Sequence, residues 1–277
     1  MARFAASLIT VLATLPVFAQ TATPSPRPIV VQGAMPAETE KLAARLANVE
    51  VEKIGGWTFW RGTVDGYPVI VSKTMKGMAN AAAATVLAVE RFRPIAIVNQ
   101  GTAGGHDPSL KLYDIVIGET SVSLAAFKSP FRARGAGTQP LDWVPMNLMA
   151  SEGSAGNDPR ARAVARFPAD PDLLAAARSV KARYTRGRVV DGVIGSSDMW
   201  HDEVDMVTHF HDRYGSSVEE METSAAAQIA GVMNVRFLGI RVVSDNITNG
   251  SPYDRATGEA CQEFVYEVVK AIIPTLK

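Results

Sequence analysis

The chain has 277 residues, with 28 basic and 28 acidic side chains and one cysteine, Cys261. Balanced charge argues against a nucleic-acid-binding surface and against a polybasic membrane patch. A single cysteine excludes an internal disulfide, so the folded part must rely on its hydrophobic core, which about 250 residues can provide.

The N-terminus has the pattern of a secretory signal peptide. Arg3 precedes an apolar run over residues 4–18, which ends at small residues typical of a cleavage site. The run is shorter than the roughly 20 apolar residues of a transmembrane helix, which disfavours the alternative of an uncleaved anchor. We expect a signal peptide over residues 1–19, a flexible linker over 20–28 and one domain over 29–277. The mature protein would then be periplasmic or secreted, without a membrane segment.

Hydrophobic periodicity predicts that strands alternate with helices along this domain. In the first half of the domain the pattern predicts a strand at 28–35, a helix at 36–47, strands at 57–64 and 67–74 joined by a turn at Asp65-Gly66, and a helix at 77–92. Strands at 94–101 and 114–120 and a long loop at 129–158 follow. The last part is predicted as a helix at 170–184 with Asp170 as N-cap, a strand at 187–196, a helix at 222–233, a strand at 235–245 and a helix at 256–273.

Several predicted strands are apolar on both faces, which is typical of a central sheet covered by helices on both sides. The fold class is therefore α/β. Ligands of such sheets bind at the carboxyl ends of the strands. We expect the functional site where the strands end, in the stretches "GAM", "NQGTAGG", "GSSDMW" and "SDN", together with the acids of "VEEME".

Two of these ends carry candidate acid–base groups. Arg241 and Asp245 are four residues apart on one strand and are expected to share a face. Asp245 would need a raised pKa to act as a general acid near neutral pH, either from burial or from like charges nearby, for which Glu220 and Glu222 are the candidates. The alternative is a structural ion pair between Arg241 and Asp245. Glu222 also has a simpler interpretation, as an acid in a first helical turn.

Other patterns are weaker. The turn "NQGTAGG" lacks the spacing of a nucleotide-binding loop, although it brings backbone N–H groups or the Thr102 hydroxyl near a ligand. Four histidines, including those of "HFHD", have no second cluster of ligands at metal-binding spacing, so we expect no metal. We also expect no cofactor. No G-x-S-x-G elbow supports a serine hydrolase.

Taken in order, "GAMPAE", "KGMANAAAA", "NQGTAGG", "LKLYDIVIGE", "GSSDMW", "VEEMETSAAAQIAG" and "VRFLGIRVVSD" resemble the purine nucleoside phosphorylase superfamily. Within it, the chain is most similar to the methylthioadenosine/S-adenosylhomocysteine nucleosidases. The resemblance implies a three-layer, phosphorylase-like fold around a mixed, twisted and partly barrel-like sheet. It also implies a nucleoside as the small-molecule partner, cleavage of an N-glycosidic bond, and a homodimer.

The resemblance also implies roles for individual residues. Asp245 would protonate N7 of the leaving base, Glu38 would activate or orient the attacking water, and Arg241 and Thr102 would help to position it. Glu222 would hold the ribose hydroxyls, with Met221 against the sugar, and Trp200 would lie beside the purine. The remaining substrate-binding candidates are Glu220, Ser244 and Met35.

Water is the expected nucleophile. A phosphate dianion is usually held by several arginines. Here the corresponding turns read "VNQGTAGG" and "GAMPAETE", where Glu38 would repel phosphate. A phosphorylase is the first alternative, and a nucleoside-binding or storage protein of the same fold is the second. Two features depart from the family pattern, namely the extra acid of "VEEME" and the long loop 129–158. Either Glu219 or Glu220 is expected to face solvent, and Glu220 is assigned to the pocket because the family's "EME" begins there.

Overall fold

The computed structural model describes residues 26–149 and 163–276. The predicted signal peptide, most of the predicted linker and part of the 129–158 loop lie outside these residues. The strands are β1 Ile29–Gly33, β2 Ala47–Ile54, β3 Trp57–Val64, β4 Tyr67–Lys73, β5 Ala96–Gly105, β6 Ile115–Ser123, β7 Phe127–Lys128, β8 Val144–Pro145, β9 Leu148–Met149, β10 Ala163–Val164, β11 Arg166–Pro168, β12 Val189–Ser196, β13 Ser216–Glu220 and β14 Arg236–Asp245. The helices are α1 Pro36–Ala43, α2 Met78–Phe92, α3 Pro171–Ser179, α4 Val204–Tyr214, α5 Thr223–Val232 and α6 Thr257–Ile272.

Five strands form a closed ring in the order β5-β14-β6-β12-β13, with β13 returning to β5. The ring is mixed, because β14 runs parallel to β5 but antiparallel to β6, and β13 runs antiparallel to β5. From β5 the sheet continues outward through β1, β4, β3 and β2, while β11 adds to β6. This confirms the expected mixed, partly barrel-like sheet.

Helices cover both faces of this sheet. Helices α1, α3 and α6 pack together on one face, and α2 packs against α5 on the other. Adjacent residues of β1 show the division, because Val31 belongs to the hydrophobic cluster under α6 whereas Val30 belongs to the cluster under α2 and α5. A third cluster, which includes Val116 and Ile194, lies among the strands of the ring. The strands are therefore buried on both faces, as their apolar sequences predict.

Most predicted elements are present with shifted ends. The turn at Asp65-Gly66 has positive φ at both residues, 48° and 78°, as a two-residue hairpin requires. Asp170 caps α3 as predicted, since its Oδ1 accepts hydrogen bonds from the N–H groups of Asp172 and Leu173, both at 3.1 Å.

None of the helices in the described ranges has the length and hydrophobicity needed to span a bilayer.

Several elements were missed or misread, among them the short strands β7 to β11, which were not predicted. The helix predicted over 36–47 ends at Ala43, and residue 47 already begins β2, an exposed edge strand that the helical spacing concealed. Helix α4 was overlooked, although its buried residues Met206, Val207, Phe210 and Tyr214 have helical spacing. Strand β13 precedes the predicted helix at 222–233 and carries two of the three clustered glutamates.

Candidate active site

A cavity of about 500 Å³ opens where β1, β5 and β14 end, facing the turn between β13 and α5. Nine of the ten residues proposed from sequence line it, namely Met35, Glu38, Thr102, Trp200, Glu220, Met221, Glu222, Ser244 and Asp245. The exception is Arg241, which lies behind the cavity wall. Residues separated by more than 200 positions in the chain thus meet at one sheet edge, as the strand-end rule predicts.

Asp245 is the last residue of β14 and has the character of a proton donor. Burial raises the pKa of its carboxyl group; the charge of Asp202 also raises it, and a hydrogen bond from Ser244 opposes the shift. The Ser244 hydroxyl lies 2.8 Å from Oδ1 of Asp245. The raised pKa agrees with the requirement for a general acid. Burial is one of the two expected causes, but the like charge belongs to Asp202 instead of Glu220 and Glu222.

Arg241 does not pair with Asp245. The register of β14 against β5 shifts between Val243 and Asp245, which interrupts the alternation of side chains on which the shared face was predicted. Arg241 is instead 1 % exposed, and its Nη2 contacts Asn99 Oδ1 at 2.6 Å and the carboxylate of Glu220. The strand-end ion pair considered as an alternative is therefore absent, and Arg241 contributes to the cavity through Glu220.

Glu38 is held at the opposite wall by four donors. As the third residue of α1 it reaches back to the N–H groups of Ala34 and Met35, which lie 2.9 and 3.1 Å from Oε2. Its Oε1 accepts from both the N–H and the hydroxyl of Thr102, each at 2.9 Å. A Cβ at Gly101 would lie 2.7 Å from that oxygen, so the glycine permits this approach. Glu38 is thus both a helix-capping acid and a cavity residue.

Glu222 has an unusual charge state. Burial is the main cause that raises its pKa to about 8, and the charges of Glu220 and Glu38 contribute, against the Arg241 charge and the Gly77 N–H. That N–H lies 2.8 Å from Oε1. Glu222 is therefore largely protonated at neutral pH, whereas the sequence led us to expect a carboxylate. A protonated carboxyl group donates one hydrogen bond and accepts others.

Glu220 caps helix α5. Its carboxylate accepts from the N–H groups of Glu222 at 2.9 Å and Thr223 at 3.0 Å, and also from the Ser196 hydroxyl and from Arg241. The capping acid is therefore Glu220, and the simpler interpretation of Glu222 as a helix-start acid is wrong. Since the protein already supplies these donors, Glu220 forms a fixed wall of the cavity.

Glu219 was expected to be a possible solvent-facing residue, but it is only 2 % exposed. Its Oε1 lies 2.7 Å from Nδ1 of His201, and its Oε2 lies 3.3 Å from Nε2 of His106. Burial tends to raise the pKa of Glu219, but the two histidines outweigh it, so the pKa is lowered.

No group of three or more residues suited to a metal occurs in the part of the chain that the structure describes.

Trp200 provides an aromatic side chain at the cavity, with 43 % of its surface exposed. A Cβ at Gly104 would lie 3.0 Å from the indole ring and 3.3 Å from Oδ2 of Asp245. The indole and the acid therefore flank the same glycine at the cavity.

Sequence analysis missed several lining residues. They are Ala34, Lys76, Asp202, Ile247, Ser251, Pro252 and Tyr253. Ala34 and Lys76 lie within quoted motifs, and the other five follow "GSSDMW" or "SDN" by at most seven residues, so longer motifs would have included them. Lys76 is the only positively charged residue among the described residues that line the cavity.

The fold and the carboxyl-rich cavity define a class of protein, and comparison with known proteins gives its family. A family model described as "Phosphorylase superfamily" matches residues 28–274. The chain belongs to this superfamily, which confirms the resemblance drawn from its motifs.

Within the superfamily, the chain is similar to 5′-methylthioadenosine/S-adenosylhomocysteine nucleosidases. The protein of that name from Anoxybacillus flavithermus is 34 % identical over 221 residues, which cover 78 % of this chain and 84 % of the relative. The one from Psychromonas ingrahamii is 32 % identical, with coverage of 77 % and 83 %. The crystal structure of the Neisseria meningitidis nucleosidase in complex with methylthio-immucillin-A aligns with a TM-score of 0.70 at 25 % identity, covering 88 % of this chain and 99 % of that one.

Proposed function

We propose that the protein hydrolyses the N-glycosidic bond of adenine-type nucleosides, in the methylthioadenosine/S-adenosylhomocysteine class, and releases the free base and a ribose derivative. One observation carries the proposal. The cavity brings a carboxyl group of raised pKa, Asp245, to face an indole ring, with Glu38 and Glu222 on the other walls. The similarity to nucleosidases identifies the nucleoside class.

Departure of the base is the step assigned to Asp245. As the C1′–N9 bond breaks, its electron pair moves onto the purine, and a proton delivered to N7 neutralises that charge. A raised pKa keeps this proton available. Trp200 would pack against the flat face of the base, where an aromatic ring provides apolar contact area.

The sugar becomes an oxocarbenium-like cation at the same time, which nearby carboxylates stabilise. Glu222 is assigned to the ribose hydroxyls and Met221 to the apolar side of the sugar. With its raised pKa, Glu222 can donate one hydrogen bond to a ribose hydroxyl and accept one from another, while the carboxylates of Glu38 and Glu220 face the developing positive charge.

Water attack at C1′ is assigned to Glu38. Its two oxygens already accept four hydrogen bonds, so a water must replace one of these donors. The Thr102 hydroxyl is the most easily exchanged of the four, because it rotates freely, whereas the three N–H groups are fixed in the backbone. Thr102 would then orient the water, and Arg241 would act at a distance by fixing Glu220.

Two features favour water over phosphate. Lys76 is the single cation among the described lining residues, and Arg241 is occupied by Glu220 and Asn99. A phosphate dianion beside Glu38 would be repelled by that carboxylate, and no arginine among the described lining residues offsets the repulsion. The acids also argue against a binding or storage protein, since a protein that only binds has no need of a proton donor.

The test is a base-release assay with methylthioadenosine, S-adenosylhomocysteine, adenosine and inosine, with and without phosphate. We expect adenine release from the first two substrates without phosphate. Asp245→Asn should lose at least about a hundredfold in kcat while keeping nucleoside affinity. Asp172→Asn, which changes an exposed aspartate of α3, is the matched control and should behave as the wild type. Release only in the presence of phosphate, or normal turnover by Asp245→Asn, would contradict the proposal.

We also propose that the chain is exported and that the mature protein is periplasmic or secreted. The charged start, the apolar run over 4–18 and the small residues at its end support this. Fractionation of the native host, with N-terminal sequencing of the purified protein, tests it. We expect a mature start near Gln20; an intact N-terminus in the cytoplasmic fraction would contradict export.

A homodimer is the last part of the proposal. Exposed apolar side chains occur at Phe131, which is 94 % exposed, and at Met199 and Val204, which lie on either side of Trp200 in the chain. Solvent-exposed apolar clusters commonly mark contacts between proteins. Light scattering coupled to gel filtration should give twice the mass of the mature chain; a monomer at assay concentration would contradict this.

A further inference from the structure

Glu219 is the acid that precedes the family motif, and the reaction outlined above does not use it. Its carboxylate is buried in β13 and bridges two histidines, with His201 Nδ1 at 2.7 Å and His106 Nε2 at 3.3 Å. A carboxylate removed from water is stable only when it is paired and hydrogen-bonded. The two histidines therefore account for the presence of Glu219 in the core.

His201 lies in the segment that forms one wall of the cavity. Its neighbours Trp200 and Asp202 both line the cavity, whereas the side chain of His201 points inward and is 4 % exposed. The imidazole also makes an edge-to-face contact with Phe210 of α4, with 4.9 Å between ring centroids. One buried side chain thus sits between two residues that face the ligand.

The segment from Ser197 to Glu203 has no helix or strand to hold it. Two contacts fix its beginning. The Ser197 N–H donates to the Glu220 carbonyl at 2.9 Å, and the Asp198 side chain accepts from the Met78 N–H at 2.8 Å. Both precede Trp200, and the contact between His201 and Glu219 follows it.

Trp200 itself is 43 % exposed, so its own packing constrains it only in part. We propose that the buried Glu219–His201 pair positions Trp200 and Asp202 at the cavity, and that both members of the pair are positioning residues for the nucleoside base. His106 contributes by holding the second oxygen of Glu219. This inference rests on the proposed function, because it takes the cavity as the site of the base.

The test is a double-mutant cycle on KM for methylthioadenosine. We expect His201→Ala to raise KM about tenfold and to change kcat by less than about threefold, because it loosens the wall without touching the acids. In a Trp200→Ala background the same change should alter KM by less than about twofold, since the residue through which it acts is gone. His201→Asn, whose amide can donate to Glu219 from a similar position, should restore most of the affinity.

His209→Ala is the matched control. His209 lies on α4 in the same aromatic cluster, where it contacts Phe210 and Tyr214, but it does not line the cavity. It should leave KM unchanged. An unchanged KM in folded His201→Ala, or an equal rise in both backgrounds, would overturn the inference. If His201→Ala fails to fold, Glu219→Gln replaces it in the same cycle, with the same expected pattern and the same overturning results.

A readout that needs no turnover separates this inference from the proposed function. Acrylamide quenching of tryptophan fluorescence, compared with Trp200→Phe, isolates the contribution of Trp200. We expect His201→Ala to raise the quenching constant of Trp200 about twofold over wild type, as a released side chain becomes more accessible. A wild type that releases no base would refute the proposed function, whereas unchanged quenching of Trp200 would refute the positioning role.

Discussion

Glu222→Gln is expected to remove a pH dependence of stability that the wild type carries. The pKa of Glu222 is raised to about 8 in the folded protein, with burial as the main cause and the charges of Glu220 and Glu38 as further causes. An unfolded chain has no such environment, so its glutamate titrates near the ordinary value of about 4.3. The folded state therefore binds a proton more tightly than the unfolded state.

The sign and size of the effect follow from this difference. Stability from a raised pKa is fully present below the unfolded pKa and is lost as pH rises through the folded pKa. At about 1.4 kcal/mol per pH unit, the free energy of unfolding should fall by roughly 3 to 4 kcal/mol between about pH 5 and pH 8 because of Glu222 alone. The glutamine variant lacks the ionising group and should lack this part of the slope.

Urea denaturation followed by circular dichroism at several pH values measures the difference directly. With an m-value of about 3 kcal/mol/M, the predicted change corresponds to about 1 M in the denaturation midpoint. Glu259→Gln is the control, because that side chain is 59 % exposed on α6, and its curve should follow the wild type. If the denaturation midpoints of the wild type and of Glu222→Gln change in parallel between about pH 5 and pH 8, the pKa of Glu222 is not raised in the folded protein. That result would refute the predicted effect of its burial.

Two other substitutions test the walls of the cavity. Glu38→Gln should lower the rate of base release by at least about tenfold, with a smaller effect on nucleoside affinity, because the amide cannot take a proton from the attacking water; unchanged kinetics would leave Glu38 with its helix-capping role alone. Arg241→Met should cost about 3 to 5 kcal/mol of unfolding free energy in urea denaturation, because it leaves the buried carboxylate of Glu220 without its charge partner. A loss below about 1 kcal/mol would show that Ser196 and the α5 N-terminus suffice to hold Glu220.

The residues that line the cavity could be predicted from the sequence more reliably than their hydrogen-bond and ion-pair partners. Strand-end positions are set by hydrophobic runs that can be read directly, so Asp245 and Thr102 were correctly expected at one sheet edge. Pairing is different, because it depends on register. The shift between Val243 and Asp245 reverses the simple alternation, and the partner of Arg241 turns out to be Glu220.

The misread elements have a similar explanation. Strand β2 follows α1 after a short turn over residues 44–46 and is itself irregular at Asn48, where φ is 54° and the pairing register with β3 shifts. Its apolar and charged residues have no buried face to set a clear period. Glu219 looked like a surface acid because acids usually are. Its partners His106 and His201 lie 113 and 18 residues before it in the chain, so only the folded structure brings the two histidines close to Glu219. The hydrophobic pattern of one sequence does not predict such long-range contacts.

The carboxyl groups of the site differ mainly in how many donors the protein gives them. Glu38 and Glu220 each accept several hydrogen bonds from backbone or side-chain groups, and these bonds fix their positions. Glu222 accepts one from Gly77, and Asp245 one from Ser244. The pKa values of Glu222 and Asp245 are raised, because burial with few donors disfavours the charged form. Ribose hydroxyls would supply the donors that Glu222 lacks, whereas a protonated Asp245 would itself donate to a basic ring nitrogen. The scarcity of donors therefore explains both the raised pKa values and the different roles proposed for these two acids.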